Sequence, residues 1–171
     1  MKKRKKAIGS THFITSGFGP RKARDMKVLV VDDETDVKTL FEQRFRKEIK
    51  NNEIELEFAF SGEDAIKFMN EHEHEAVLIL SDINMPGMSG LVLLKHIKEK
   101  YEKPPPIVMM ITAYGDDENY NEAMSLGADD FLTKPVDMAD LRLLLRRAFH
   151  VAGLEREYAE IQQGMLVDTF E

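Results

Sequence analysis

The chain has 171 residues, no cysteine, no tryptophan and a formal net charge of −7 at pH 7. That length, with a hydrophobic share of 43%, allows one domain with a proper core plus short extensions, and the absence of cysteine excludes disulfides and thiolate metal sites. No apolar run approaches the roughly 18 residues that a membrane-spanning helix needs, and the basic N-terminus lacks the apolar stretch of a secretory signal, so a cytoplasmic protein is expected.

Residues 1–25 hold eight Lys/Arg against one Asp, a net +7, which leaves −14 for the rest of the chain. Lys2-Lys3-Arg4-Lys5-Lys6 is followed by Gly9, Gly17, Gly19 and Pro20, with no sustained period of 2 or 3.6. This reads as a flexible basic arm, either solvated or in contact with nucleic acid, anionic lipid or an acidic partner. The acidic body argues against nucleic-acid binding by the domain itself.

From Lys27 strands and helices alternate. The first strand is 27–31, and the first helix, about 35–49, carries Val37, Leu40, Phe41, Phe45 and Ile49 at helical spacing before Asn51-Asn52 ends it. Ile54, Leu56, Phe58 and Phe60 then alternate with Glu55, Glu57 and Ala59, a half-wet strand suited to a sheet edge. Ser61-Gly62 leads into a helix through Ala65, Ile66, Phe68 and Met69, and a third strand covers 76–81. A helix over 89–101, a strand over 107–111, a short helix from Glu118 to Leu126 ended by Gly127, a strand over 130–133 and a last helix from Asp137 complete the set. Five βα units joined by short links predict an α/β fold with a doubly wound five-stranded parallel sheet. The expected organisation is the arm at 1–25, the domain at 26–149 and a helical extension or linker at 150–171. In that extension Val151, Leu154, Tyr158, Ile161 and Met165 step 3, 4, 3, 4. The seam is either the frayed end of the last helix or a linker that pairs with a second copy.

The chemistry gathers at strand ends. Ala76-Val77-Leu78-Ile79-Leu80 runs into Ser81-Asp82 and breaks at Met85-Pro86-Gly87; Val28-Leu29-Val30-Val31 runs into Asp32-Asp33-Glu34; Ile107 to Ile111 runs into Thr112-Ala113. Parallel strands would bring Asp32, Asp33, Asp82 and Thr112 to one edge, where open α/β sheets bind ligands. Three close carboxylates raise one another's pKa unless a cation intervenes. With no His or Cys in these motifs, Mg²⁺ is favoured and Mn²⁺ is compatible. The set suits phosphoryl chemistry: Asp82 as nucleophile, Asp32 and Asp33 around the metal, Lys134 as counter-charge, the Thr112 hydroxyl and Ala113 N–H as donors, and Pro135 fixing the backbone beyond the lysine. Singly, each has a plainer role as a helix cap or surface group; their joint placement carries the reading.

These motifs resemble the receiver domain of two-component response regulators, a flavodoxin-like (βα)5 fold. The resemblance runs from about Lys27 to Phe149 through Leu29-Val30-Val31-Asp32-Asp33-Glu34, Ser81-Asp82-Ile83-Asn84-Met85-Pro86-Gly87-Met88-Ser89-Gly90, Ile111-Thr112-Ala113-Tyr114 and Leu132-Thr133-Lys134-Pro135. It implies that Asp82 accepts a phosphoryl group from a histidine kinase or phosphotransfer protein. It implies Mg²⁺ held by Asp33, Asp82 and the backbone carbonyl of Asn84, with Asp32 acting largely through water, and a cis Lys134–Pro135 bond. It further implies that Thr112 moves toward the phosphoryl group, that the aromatic at Phe131 follows it inward, and that Asn84 and Tyr114 tune the phosphate's lifetime.

Two departures stand out. Phe131 replaces the tyrosine of many members and lacks its hydroxyl. The interval from Asp33 to Asp82 is a few residues longer than in compact members, with the extra near Arg46 to Glu53, away from the strand ends.

A dehalogenase-type phosphohydrolase uses similar groups, but there the nucleophile comes first and the acidic pair last, the reverse of the order here. A receiver-like module that works without phosphorylation is the third class, disfavoured because every required site residue is present. The leading expectation is a phosphorylation-dependent switch whose surface of fourth helix, fifth strand and fifth helix binds a partner. Leu141-Arg142-Leu143-Leu144-Leu145 is apolar on more than one face, which suggests a homodimer through the fifth helix and the extension. His72-Glu73-His74-Glu75 reads as a solvated helix end rather than a metal site, and Met109-Met110 as core.

Overall fold

The computed structural model describes residues 26–73, 75–101, 106–113 and 116–168. The basic arm, His74 and Tyr114 therefore lie outside the described residues. The five strands are β1 (Met26–Val31), β2 (Glu55–Ala59), β3 (Ala76–Asp82), β4 (Ile107–Thr112) and β5 (Asp130–Thr133). They form one parallel sheet in the order β2-β1-β3-β4-β5, the doubly wound arrangement expected. The helices are α1 (Asp36–Arg44), α2 (Arg46–Lys50), α3 (Gly62–Glu71), α4 (Gly90–Lys100), α5 (Asp117–Ser125) and α6 (Met138–Asp168).

The period-2 geometry of the strands sorts their side chains between two cores. Leu29, Val31, Val77, Ile79, Val108 and Met110 point to the face covered by α3, α4 and α5, where they meet Ala65, Met69, Leu93, Leu94, Ile97 and Ala123. Val28, Val30, Leu78, Leu80, Met109 and Ile111 point to the other face, against Phe41 and Phe45 of the α1–α2 segment and Leu141, Leu145, Ala148 and Phe149 of α6. The central strands need apolar residues at every position because both faces are covered. Each fully buried Leu, Ile or Met among them contributes about 1.5–3 kcal/mol. β2 pairs only with β1 and is half-buried along most of its length, as its alternating sequence predicts.

The first predicted helix is two. Phe45, at φ −101° and ψ 18°, separates α1 from α2. Phe45 is fully buried and stacks on Phe41, 5.9 Å between ring centroids. Leu40, expected on the apolar face, stays 43% exposed. Arg142 of α6 fastens the bend: its guanidinium donates to the Arg44 carbonyl, pairs with Glu48 at 2.8 Å and lies over the Phe45 ring at 5.0 Å. Asn52 closes α2 in the left-handed region (φ 55°), with Asn52 N–H on the Ile49 carbonyl and Glu53 N–H on the Glu48 carbonyl, the paired bonds of a Schellman ending. Gly127 (φ 95°) ends α5 in the same way.

Gly90 opens α4 where no side chain fits. A Cβ there would lie 2.1 Å from the Asp82 carbonyl oxygen, and the Gly90 N–H donates to the Ile83 carbonyl at 2.8 Å. Gly90→Ala must push helix and strand end apart, because the obstacle is backbone. We expect a loss of about 1–3 kcal/mol in denaturant unfolding, with displaced backbone resonances at Asp82 and Ile83.

A buried carboxylate cluster at the carboxyl edge of the sheet

Strand pairing sets the site. Val31 is in register with Ser81, Asp82 with Ile111, and Thr112 with Thr133, so the residues after each strand emerge side by side. Asp82 is 3% exposed and Asp32 6%, whereas Asp33 is exposed. One carboxylate oxygen from each of these three residues lies within 4.8 Å of the others, the only such group of potential metal ligands among the described residues. This all-oxygen donor set fits a hard divalent cation.

Each buried carboxylate is anchored locally. Asp32 Oδ1 accepts the Glu34 N–H at 2.9 Å, and Asp82 Oδ1 accepts the Asn84 N–H at 3.1 Å. Asp82 Oδ2 receives Lys134 Nζ at 2.7 Å. Lys134 is placed by its own backbone N–H, which donates to the Thr112 carbonyl at 2.8 Å; the Lys134–Pro135 bond that follows is cis. Burial pushes the Asp32 carboxyl above its ordinary pKa; the Glu34 N–H opposes this, and the Asp82 charge adds to it. For Lys134, burial works against the charge, but the hydrogen bond and charge of Asp82, joined by Asp32 and Glu34, outweigh it and raise its pKa.

Thr112 is 2% exposed, and its hydroxyl oxygen has no hydrogen-bond partner. It sits at the end of β4, level with the rim, with Ala113 beside it in solvent. Phe131, half-buried on β5, meets Tyr120 edge-on at 4.7 Å. Asn84 is exposed, and Pro86 lies in the turn that closes at Gly87 (φ 74°). The structure thus brings Asp32, Asp33, Asp82, Lys134 and Thr112 to one edge, as their strand-end positions predict. It also reveals two groups to which the sequence assigned no role: Gly90, which holds β3's end against α4, and Arg142. Ser89-Gly90 was visible as a helix start, since Ser89 Oγ accepts the Val92 N–H at 3.3 Å, but the close backbone approach was not. His72 stacks on Phe68 at 3.9 Å and meets its carbonyl through Nδ1 at 2.7 Å.

The response regulator receiver domain family model matches residues 28–146. The chain belongs to the response regulator receiver family. It is 34% identical over 143 residues to the response regulator protein PilR of Pseudomonas aeruginosa, a match covering 84% of this chain and 30% of PilR. The fold superposes on a response regulator receiver domain protein from Clostridium thermocellum with a TM-score of 0.66 and 28% identity, over 75% of this chain and 98% of that one. NtrX from Brucella abortus gives a TM-score of 0.67 and 31% identity, over 79% of this chain and 29% of NtrX. The receiver thus spans under a third of these two longer relatives. Among the described residues no helix is long and apolar enough to cross a membrane.

Two outcomes follow from the electrostatics. Asp32 has a raised folded pKa, so above that pKa its charge destabilises the fold, and the penalty is relieved as pH falls through it toward the ordinary carboxylate value. Without divalent cation, Asp32→Asn should therefore melt higher than wild type at pH 7, with a gap that narrows on acidification; thermal unfolding across pH checks the sign. Thr112→Val removes an unpaired buried hydroxyl in an isosteric shape. We expect it to be neutral or stabilising by about 1 kcal/mol in urea unfolding.

Proposed function

We propose that this chain is a phosphorylation-controlled switch, with Asp82 as the acceptor and a histidine kinase or phosphotransfer protein as the donor. The observation that carries the reading is the buried Asp82 carboxylate, paired to Lys134 at 2.7 Å and adjoined by Asp32 and Asp33. An Asp82 oxygen would attack phosphorus as the bond to the donor imidazole nitrogen breaks. The imidazole leaves with the bonding electron pair, and an acyl phosphate remains.

Asp33, Asp82 and the Asn84 carbonyl would hold Mg²⁺, with Asp32 acting largely through water; Mn²⁺ suits the same oxygen donors. Once bound, the cation offsets the carboxylate repulsion and the charge on the phosphoryl oxygens. Lys134 is positioned to neutralise a phosphoryl oxygen as its hold on Asp82 relaxes. Thr112 brings a hydroxyl with no competing partner, and Ala113 the N–H beside it. Movement of Thr112 toward the phosphoryl group would open space for Phe131, which must first leave its contact with Tyr120 on α5. The site would thereby be linked to the surface formed by α5, β5 and α6. We assign lifetime tuning to Asn84 and Tyr114, and the domain boundary to the neighbourhood of residue 149.

Self-association through α6 is the output we favour. Leu141, Leu145, Ala148 and Phe149 are covered by the domain, while Leu143 and Val151 are 53% and 48% exposed. The helix continues to Asp168, and in the sequence Val151, Leu154, Tyr158, Ile161 and Met165 step 3, 4, 3, 4. An isolated stretch of that length is marginally helical in water, so a second copy along the seam would account for it.

Incubation with a small-molecule phosphodonor and Mg²⁺, followed by intact mass and light scattering, tests both parts. Wild type should gain one phosphoryl group only with Mg²⁺ and shift from monomer toward dimer, while Asp82→Asn should do neither. An unmodified wild type, under conditions that modify another receiver, would overturn the assignment.

A further inference from the structure

The segment from α1 through α2 to β2 forms a second concave site at the far end of the sheet from Asp82. A cavity of about 720 Å³ lies between one face of the α1–α2 segment (Glu42, Arg46, Ile49, Lys50) and the residues leading into and starting β2 (Asn52, Ile54, Glu55, Leu56). That volume is within the range of small-molecule pockets. Its apolar side comes from Ile49, Ile54 and Leu56, which belong to or pack against the α1/α6 core. Its two acidic groups are already engaged: Glu55 holds Lys27 at 2.9 Å, and Glu42 faces Lys38 at 3.9 Å. Arg46 and Lys50, one helical turn apart on the exposed side, have no ion-pair or hydrogen-bond partner among the described residues.

We infer that this cavity binds a free anionic amphiphile, a medium- or long-chain carboxylate whose head meets Arg46 and Lys50 and whose chain lies on Ile49, Ile54 and Leu56. The charge complementarity selects this occupant. Arg and Lys donors bind carboxylates through charge-assisted hydrogen bonds, and Ile49, Ile54 and Leu56 line the same cavity. The basic arm at residues 1–25 has the wrong sign for this pair of cations. The site is independent of Asp82 chemistry, but Glu48 sits on the same short helix and ties it to Arg142 of α6 at 2.8 Å. An occupant of the cavity would therefore bear on the element to which we assign the output.

The test is methyl NMR on the full chain, observing Ile49 and Ile54 during titration with dodecanoate below its micellar concentration. Saturable shifts of both methyls are expected, with affinity reduced by about tenfold or more in the Arg46→Glu, Lys50→Glu double variant. Both positions are exposed, so the variant should melt with wild type; Arg46→Gln, Lys50→Gln should give the same direction more weakly. Uncharged dodecyl maltoside should bind far less. Absence of saturable shifts, an equal response to dodecyl maltoside, insensitivity to both double variants, or binding only to vesicles of anionic phospholipid would each overturn the inference.

Discussion

Three carboxylates crowded at one sheet edge against a single lysine are the constraint on which the rest of this structure depends. Two like charges about 4 Å apart repel by about 4 kcal/mol at an effective dielectric of 20, and the low exposure of Asp32 and Asp82 denies them much relief from water. The fold tolerates this because each group is pinned: Asp32 and Asp82 by the backbone amides of Glu34 and Asn84, and Asp82 also by Lys134. The strain shows in Asp32, which takes no lysine contact of its own and whose proton affinity is raised by burial and by Asp82. A site arranged in this way has electrostatic reason to gather cationic charge, and the two cores beneath it keep the strand ends from separating.

Its counterpart is Thr112. A buried hydroxyl without a partner is a cost of about 1–3 kcal/mol that a valine would not incur, so the residue is poorly suited to the state in which it stands. An acceptor appearing at the rim would give it a bond it now lacks. Phe131, half-buried beside Tyr120, lies on the neighbouring strand β5. Acidic crowding favours the arrival of a cation, and the orphaned hydroxyl favours an acceptor beside it.

The sheet and the site residues were legible in the sequence for one physical reason. Strands buried on both faces are continuous apolar runs, and in a parallel sheet all their carboxyl ends fall on one edge. Asp32, Asp33, Asp82, Thr112 and Lys134 could therefore be placed together before any contact was known. What escaped was set by tertiary packing. The break at Phe45 has no proline or glycine to announce it, and Phe41 and Phe45, four residues apart, would share a face in an unbroken helix as well. Leu40 has a core residue's chemistry, yet it stays exposed. Arg142 lies 94 residues from Glu48, a separation that local pattern cannot bridge. Gly90 was readable as a helix start, but its tolerance for nothing larger depends on the Asp82 carbonyl above it.

The same distinction separates the rim from the α2 turn. The strand-end residues are bound to one another by register, so a change at one would have to be matched across three strands. At α2, beyond the buried Phe45, the chain needs only to close with Asn52 and rejoin the edge strand β2. That location puts the turn against α6 through Arg142, which donates to the Arg44 carbonyl and neutralises Glu48. The α2 turn thus lies away from the carboxylate cluster while contacting the helix that runs to Asp168. A change there would bear on α6 without touching a residue of the rim.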